Sequence, residues 1–179
     1  GRTTGFRLNL PFLGQLNFYL SSFAPPKTIS VVPQAVAISK IYQTDGLPTG
    51  TQAPNFSLPT LDNKQVSLKK YKGKKFVLTF LSTWSSPSLE QAAILSKIEM
   101  KESMLAIFLQ ESPVSAQTFM KRAGYDFPLI ADTNGGVGTD YKINLLPTHF
   151  FIDGTGKILQ IHTGVLTKEE IVNMFKNMP

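Results

Sequence analysis

The chain has 179 residues, 42% of them hydrophobic and 17% charged, with a formal net charge of +6 and no cysteine. Length and apolar content suit one globular domain of ordinary size plus an extension, and they exclude a wholly disordered chain. Four of the six net positive charges come from Arg2, Arg7, Lys27 and Lys40 in an acid-free stretch over residues 1–44, so the basic balance belongs to an N-terminal arm and nucleic-acid binding is not expected.

In that arm, Phe12, Leu16, Tyr19, Leu20 and Phe23 recur at i, i+4, i+7, i+8 and i+11 after Pro11, which predicts an amphipathic helix interrupted by Gly14. It is too short and too polar to span a bilayer, which takes about 20 apolar residues. Gly1 is not an initiator and no basic-then-apolar-then-small pattern opens the chain, so a processed or truncated N-terminus is expected. Pro25-Pro26 separates this piece from two β-leaning runs, Thr28–Val32 and Ala35–Tyr42. Two roles stand open for residues 1–50. The arm folds back on its own domain, or residues 6–23, rich in Phe and Leu and free of acids, dock on a membrane surface or a partner subunit.

From Thr51 to Pro179 the pattern is that of one α/β domain. Phe56-Ser57-Leu58 and Val66-Ser67-Leu68 flank the turn Asp62-Asn63-Lys64, a short hairpin. The run Lys69-Lys70-Tyr71-Lys72-Gly73-Lys74-Lys75 reads as a solvated loop, and Phe76–Leu81 as a central strand, apolar on both faces. A helix is expected over about 88–100, with Leu89, Ala92, Ala93 and Ser96 on one face and Ile94, Leu95 and Ile98 carrying apolar character onward. Ser103–Leu109 is a second buried strand, and Ser112-Pro113 opens a helix that Gly124 stops. Phe127–Asp132 reads as an edge segment, Val137–Tyr141 as a helical turn and Thr148–Ile152 as a strand. Asp153-Gly154-Thr155-Gly156 turns that strand back into Lys157–His162. Thr167-Lys168-Glu169-Glu170 is a capping box for a last helix whose Ile171, Met174 and Phe175 face the sheet.

The segment Trp84-Ser85-Ser86-Pro87-Ser88 lies where the first strand of this series hands over to a helix. A serine nucleophile needs a base, an orienting group and an oxyanion hole. There is no Gly-x-Ser-x-Gly elbow, and of the two histidines only His149 is near, on a strand where alternation leaves its direction open. Serine hydrolysis is not expected. Ser85 and Ser88 are read as helix caps, accepting from first-turn amides.

The domain resembles the TlpA/ResA-like branch of the thioredoxin superfamily, the extracytoplasmic, membrane-tethered thiol-disulfide oxidoreductases. The resemblance is carried by Gly50–Phe56, Leu68–Gly73, Phe80–Pro87, Phe127-Pro128, Asp132, Tyr141, Leu146-Pro147-Thr148, Phe151-Ile152-Asp153 and Gly156-Lys157. It implies a thioredoxin-like fold, a central mixed β-sheet flanked by helices, with no cofactor and no metal. It implies that positions 85 and 88 are the family's nucleophilic and resolving thiols, that Trp84 and Pro87 shape the motif, and that Pro147 is a cis-proline whose neighbours Leu146 and Thr148 meet substrate. The partner implied is a protein, a disulfide-bearing substrate or a complex subunit, and the place implied is the extracytoplasmic face of a membrane.

Two departures stand out. Serine occupies both thiol positions, and serine has neither a thiolate at physiological pH nor a disulfide state. Gln91 stands where relatives often carry a glutamate three residues past the second cysteine. The chain is then either an inactivated form of a disulfide reductase, with Cys-Ser-Pro-Cys changed to Ser-Ser-Pro-Ser, or a natural non-catalytic structural or assembly subunit. A peroxiredoxin relative would need Pro-x-x-x-Thr-x-x-Cys, which is absent.

Overall fold

A computed structural model describes residues 46–60 and 64–179. The arm helix, the two β-leaning runs and most of the hairpin turn expected above lie outside the described residues. The core is a five-stranded sheet in the order β5-β4-β3-β6-β7, built from β3 (Phe76–Leu81), β4 (Met104–Leu109), β5 (Leu129–Asp132), β6 (Thr148–Ile152) and β7 (Ile158–Thr163). β3 runs parallel to β4 with Val77 opposite Met104, and antiparallel to β6 with Phe80 opposite Thr148. β5 and β7 are the edges. A separate antiparallel hairpin pairs β1 (Ser57–Pro59) with β2 (Gln65–Ser67).

β3, β4 and β6 are buried along their whole length, because both faces of the sheet are covered and each alternate side chain meets a different layer. Val77, Leu81, Ala106, Phe108 and Phe151 point to one face. There they pack against α1 (Ser86–Leu95), α2 (Pro113–Ala123) and α4 (Lys168–Lys176) through Ala92, Leu95, Ala116, Met120 and Ile171. Phe76, Leu78, Phe80, Leu105, Ile107, Phe150 and Ile152 point to the other, under Phe56, Tyr71 and the short helix α3 (Gly136–Asp140). Tyr141 anchors that side, its ring edge-on to Phe150 at 5.1 Å and its hydroxyl donating to the Pro54 carbonyl at 2.8 Å. This is the architecture that the resemblance implies.

Local signals fixed several boundaries. The Ser112 hydroxyl accepts from the Ser115 amide at 3.1 Å, and α2 ends at Gly124 in the left-handed region with Tyr125 N–H bonded back to Met120. The lysine-rich loop contains a 3₁₀ turn, Leu68–Tyr71, with Lys69, Lys70, Lys72 and Lys74 exposed. Its aromatic is not solvated: Tyr71 stacks on Phe76 at 4.1 Å, and burial raises its hydroxyl pKa to about 12.

Helix α1 differs from the expected one in span and in face. It starts at Ser86 and ends at Leu95, and the chain then leaves through tight turns, Lys97 N–H to Ile94 and Ile98 N–H to Leu95, which carry Ile98 into the core. The buried face is Ser88, Gln91, Ala92 and Leu95, while Leu89 is exposed. Two of the buried members are polar, so the apolar period of the sequence does not trace this face. Gln91 is fully buried and holds the backbone of Leu166 at both ends: its amide donates to the Leu166 carbonyl at 3.2 Å, and its carbonyl accepts from the Leu166 N–H at 2.7 Å.

Candidate functional site

Ligands of open α/β sheets bind beyond the carboxyl ends of the strands, and here the marked residues gather at that end of β3. Trp84 and Ser85 follow β3 after Ser82 and Thr83, and the Phe80–Thr148 pairing brings the start of β6 alongside. The Leu146–Pro147 peptide bond is cis. The Pro147 carbonyl accepts from Gly164 N–H at 2.8 Å, and the Thr148 hydroxyl is committed to the Leu145 carbonyl at 2.8 Å.

Neither motif serine caps the helix, contrary to the expectation from sequence. Ser85 is the N-cap residue, but its side chain makes no capping bond. A cap bonds the amide of the second or third helical residue, and the second is Pro87, which has none. Ser88 is that third residue, already inside the first turn and turned toward the sheet. It is 1% exposed and its hydroxyl has no hydrogen-bond partner.

Trp84 is 66% exposed and shares a cavity of about 690 Å³ with Leu109, Gln110, Lys142, Asn144 and Leu146. The motif serines, Pro87, Pro147 and Thr148 do not line it. Gln110 and Lys142 are the two non-glycine residues with left-handed backbones among the described residues, at φ 55° and 52°. Each such conformation costs about 1–2 kcal/mol, and such strain concentrates at binding sites. Gly138 packs closely here: a Cβ on it would stand 2.8 Å from a Leu109 methyl, which would have to shift.

Sequence reasoning did not mark Gln110, Glu111, Lys142 or Ser82. The available signal was position, since Ser82 and Gln110-Glu111 are the first residues past β3 and β4. Glu111 is buried, with one carboxylate oxygen accepting from Thr83 N–H and the other unpartnered. The Ser82 hydroxyl, Ser88 hydroxyl, Glu111 Oε2 and His149 Nε2 are the buried side-chain polar atoms without partners among the described residues. Roughly nine in ten such groups are normally paired; two of these four, on Ser82 just past β3 and on Glu111 just past β4, lie at the carboxyl ends of neighbouring strands.

His149 points into the sheet's helix-covered layer beside Thr79, whose hydroxyl lies 3.0 Å from Nδ1. Burial, with His162 next to it, lowers its pKa to about 3 against a small opposing pull from the Gly164 backbone. His149 is fully buried with Nδ1 beside the Thr79 hydroxyl, and no hydrogen bond joins it to Ser85 among the described residues.

The chain matches the Redoxin family over residues 48–177. It is 31% identical over 134 residues to the thiol-disulfide oxidoreductase ResA of Bacillus thuringiensis, covering 72% of this chain and 78% of that protein. It is 32% identical over 143 residues to the thioredoxin-like protein YneN of Bacillus subtilis, covering 73% and 84%. The crystal structure of the pneumococcal exposed lipoprotein thioredoxin Etrx1 from Streptococcus pneumoniae superposes with a TM-score of 0.60 at 27% identity, over 70% of this chain and all of that one. The chain belongs to the Redoxin family, as a thioredoxin-fold relative of the ResA-type thiol-disulfide oxidoreductases that has serine in both thiol positions.

Proposed function

We propose that the chain is a redox-silent form of a disulfide reductase that keeps the protein-binding surface and lacks the reactive thiols. Ser88 is the observation that carries this. An unpaired buried hydroxyl costs about 1–3 kcal/mol, whereas a thiol behaves as a small hydrophobe with a weak donor and loses little there. The pocket at position 88 suits cysteine. Position 85 is half-buried at the start of α1, where free amides and the helix dipole stabilise a thiolate. Trp84, Leu146 and Thr148 then serve a disulfide-bearing polypeptide, and the likeness to Etrx1, an exposed lipoprotein, supports an extracytoplasmic place on a membrane, with residues 6–23 as a membrane or partner contact. The test is the Ser85→Cys/Ser88→Cys variant. One intramolecular disulfide and insulin reduction are expected. A folded variant that keeps two free thiols in a glutathione redox buffer overturns the reading.

Gln91 favours a second reading, a natural non-catalytic binding subunit. Glutamate has no N–H to give the Leu166 carbonyl, so the chain fits glutamine at that place, which suggests adaptation beyond the two serines. This reading predicts that the double-cysteine variant folds without exchanging thiols.

A further inference from the structure

We infer that the cavity between Trp84 and α3 binds an extended polypeptide segment carrying a carboxylate beside a large apolar side chain, with Lys142 setting the preference for acid. The inference rests on the proposed protein-binding reading and names its substrate class. The floor is apolar, from Leu109, Ile143 and Leu146, and the exposed Trp84 forms one wall. The rim is polar: Gln110, Lys142 and Asn144 are exposed and line the same space. Two primary amides, each both donor and acceptor, suit the alternating N–H and C=O groups of an extended chain.

Charge narrows the occupant. Lys142 is the single charged residue lining the cavity; no carboxylate lines it, and Lys142 makes no ion pair among the described residues. Asp140, two residues earlier, lies outside the lining. Gln110 and Lys142, the two left-handed non-glycine residues among the described ones, both line this cavity, so the two strained positions and the one charge coincide. An apolar floor under a lone cation matches an apolar residue next to an aspartate, a glutamate or a chain-terminal carboxylate.

The experiment uses the ¹⁵N-labelled chain as it stands and three blocked peptides, identical but for one residue beside a phenylalanine: aspartate, asparagine or lysine. The aspartate peptide should bind about two- to fivefold more tightly than the asparagine one, the range of an exposed ion pair, and added salt should erase the difference. Amide shifts should centre on Gln110, Lys142 and Asn144 and on the Trp84 indole. Lys142→Glu, an exposed change that leaves the fold intact, should reverse the order of the three peptides, and Trp84→Ala should weaken all of them. Equal affinities with shifts at this rim would overturn the acid preference while leaving the protein-binding surface standing. Absence of shifts at the rim with every peptide would overturn both.

Discussion

Thr167 and Ser85 hold the same position at the start of two helices, α4 and α1; the carbonyl of each accepts the first helical amide, from Ile171 at 3.1 Å and from Leu89 at 3.0 Å, and they differ in what their side chains do. The Thr167 hydroxyl accepts from Glu170 N–H at 3.2 Å, and the Glu170 carboxylate returns to the Thr167 N–H at 2.8 Å, which closes a capping box. The Ser85 side chain caps nothing, and Ser88, three residues on, is buried and unpaired. One helix start is capped by its own residues; the other has no side-chain cap and a buried hydroxyl left unpaired. The Thr167 and Glu170 side chains hold the start of α4, whereas neither the Ser85 nor the Ser88 side chain caps the start of α1.

The two starts are joined by Gln91, which holds Leu166 immediately before the capping box. Its replacement should give the largest effect. Gln91→Glu removes the donor to the Leu166 carbonyl and buries a charge, so stability at pH 7 should drop by about 2–4 kcal/mol in urea denaturation. Burial raises the pKa of the new carboxyl, so the loss should shrink as pH falls and the acid protonates. A loss that is constant with pH would mean that position 91 is reached by water and that the two helix starts are not coupled through it.

His149 sharpens the contrast from inside the sheet. Its folded pKa is lowered to about 3, against about 6.5 for an unfolded histidine. Between these values the unfolded chain binds more protons, so stability falls as pH drops below about 6.5, by about 1.4 kcal/mol per unit. From pH 7 to pH 5 that amounts to about 2 kcal/mol. His149→Leu should flatten this slope in paired denaturation curves at the two pH values; an unchanged slope would assign it to other groups. At the capped start, Thr167→Ala should cost about 1 kcal/mol, read as a lower denaturation midpoint.

Much of this was legible in the sequence. The continuous apolar runs Phe76–Leu81 and Met104–Leu109 announce strands covered on both faces. Ser112-Pro113, Gly124 and the Thr167–Glu170 box mark helix ends by chemistry that acts within a turn. The family resemblance marks the Trp84–Ser88 segment and Leu146-Pro147-Thr148 as one site, and the β3–β6 pairing sets Thr148 opposite Phe80, four residues before Trp84. The buried face of α1 was not, because Ser88 and Gln91 break its apolar period, and Gln91 is explained only by Leu166, 75 residues away. Nor were Gln110 and Lys142, since a left-handed backbone at a non-glycine residue is imposed by the surrounding fold and leaves no local signature.

The most direct test of the contrast is the stability of Ser88→Ala and Ser88→Cys measured beside Thr167→Ala in one denaturant series. If position 88 is a thiol-shaped pocket with an unpaired hydroxyl, both replacements should raise stability by about 1 kcal/mol or more, with cysteine at least equal to alanine, while Thr167→Ala lowers it. If Ser88→Ala and Ser88→Cys both lower stability as Thr167→Ala does, Ser88 is an ordinary capping or structural serine, and the start of α1 is not the emptied redox site proposed for it.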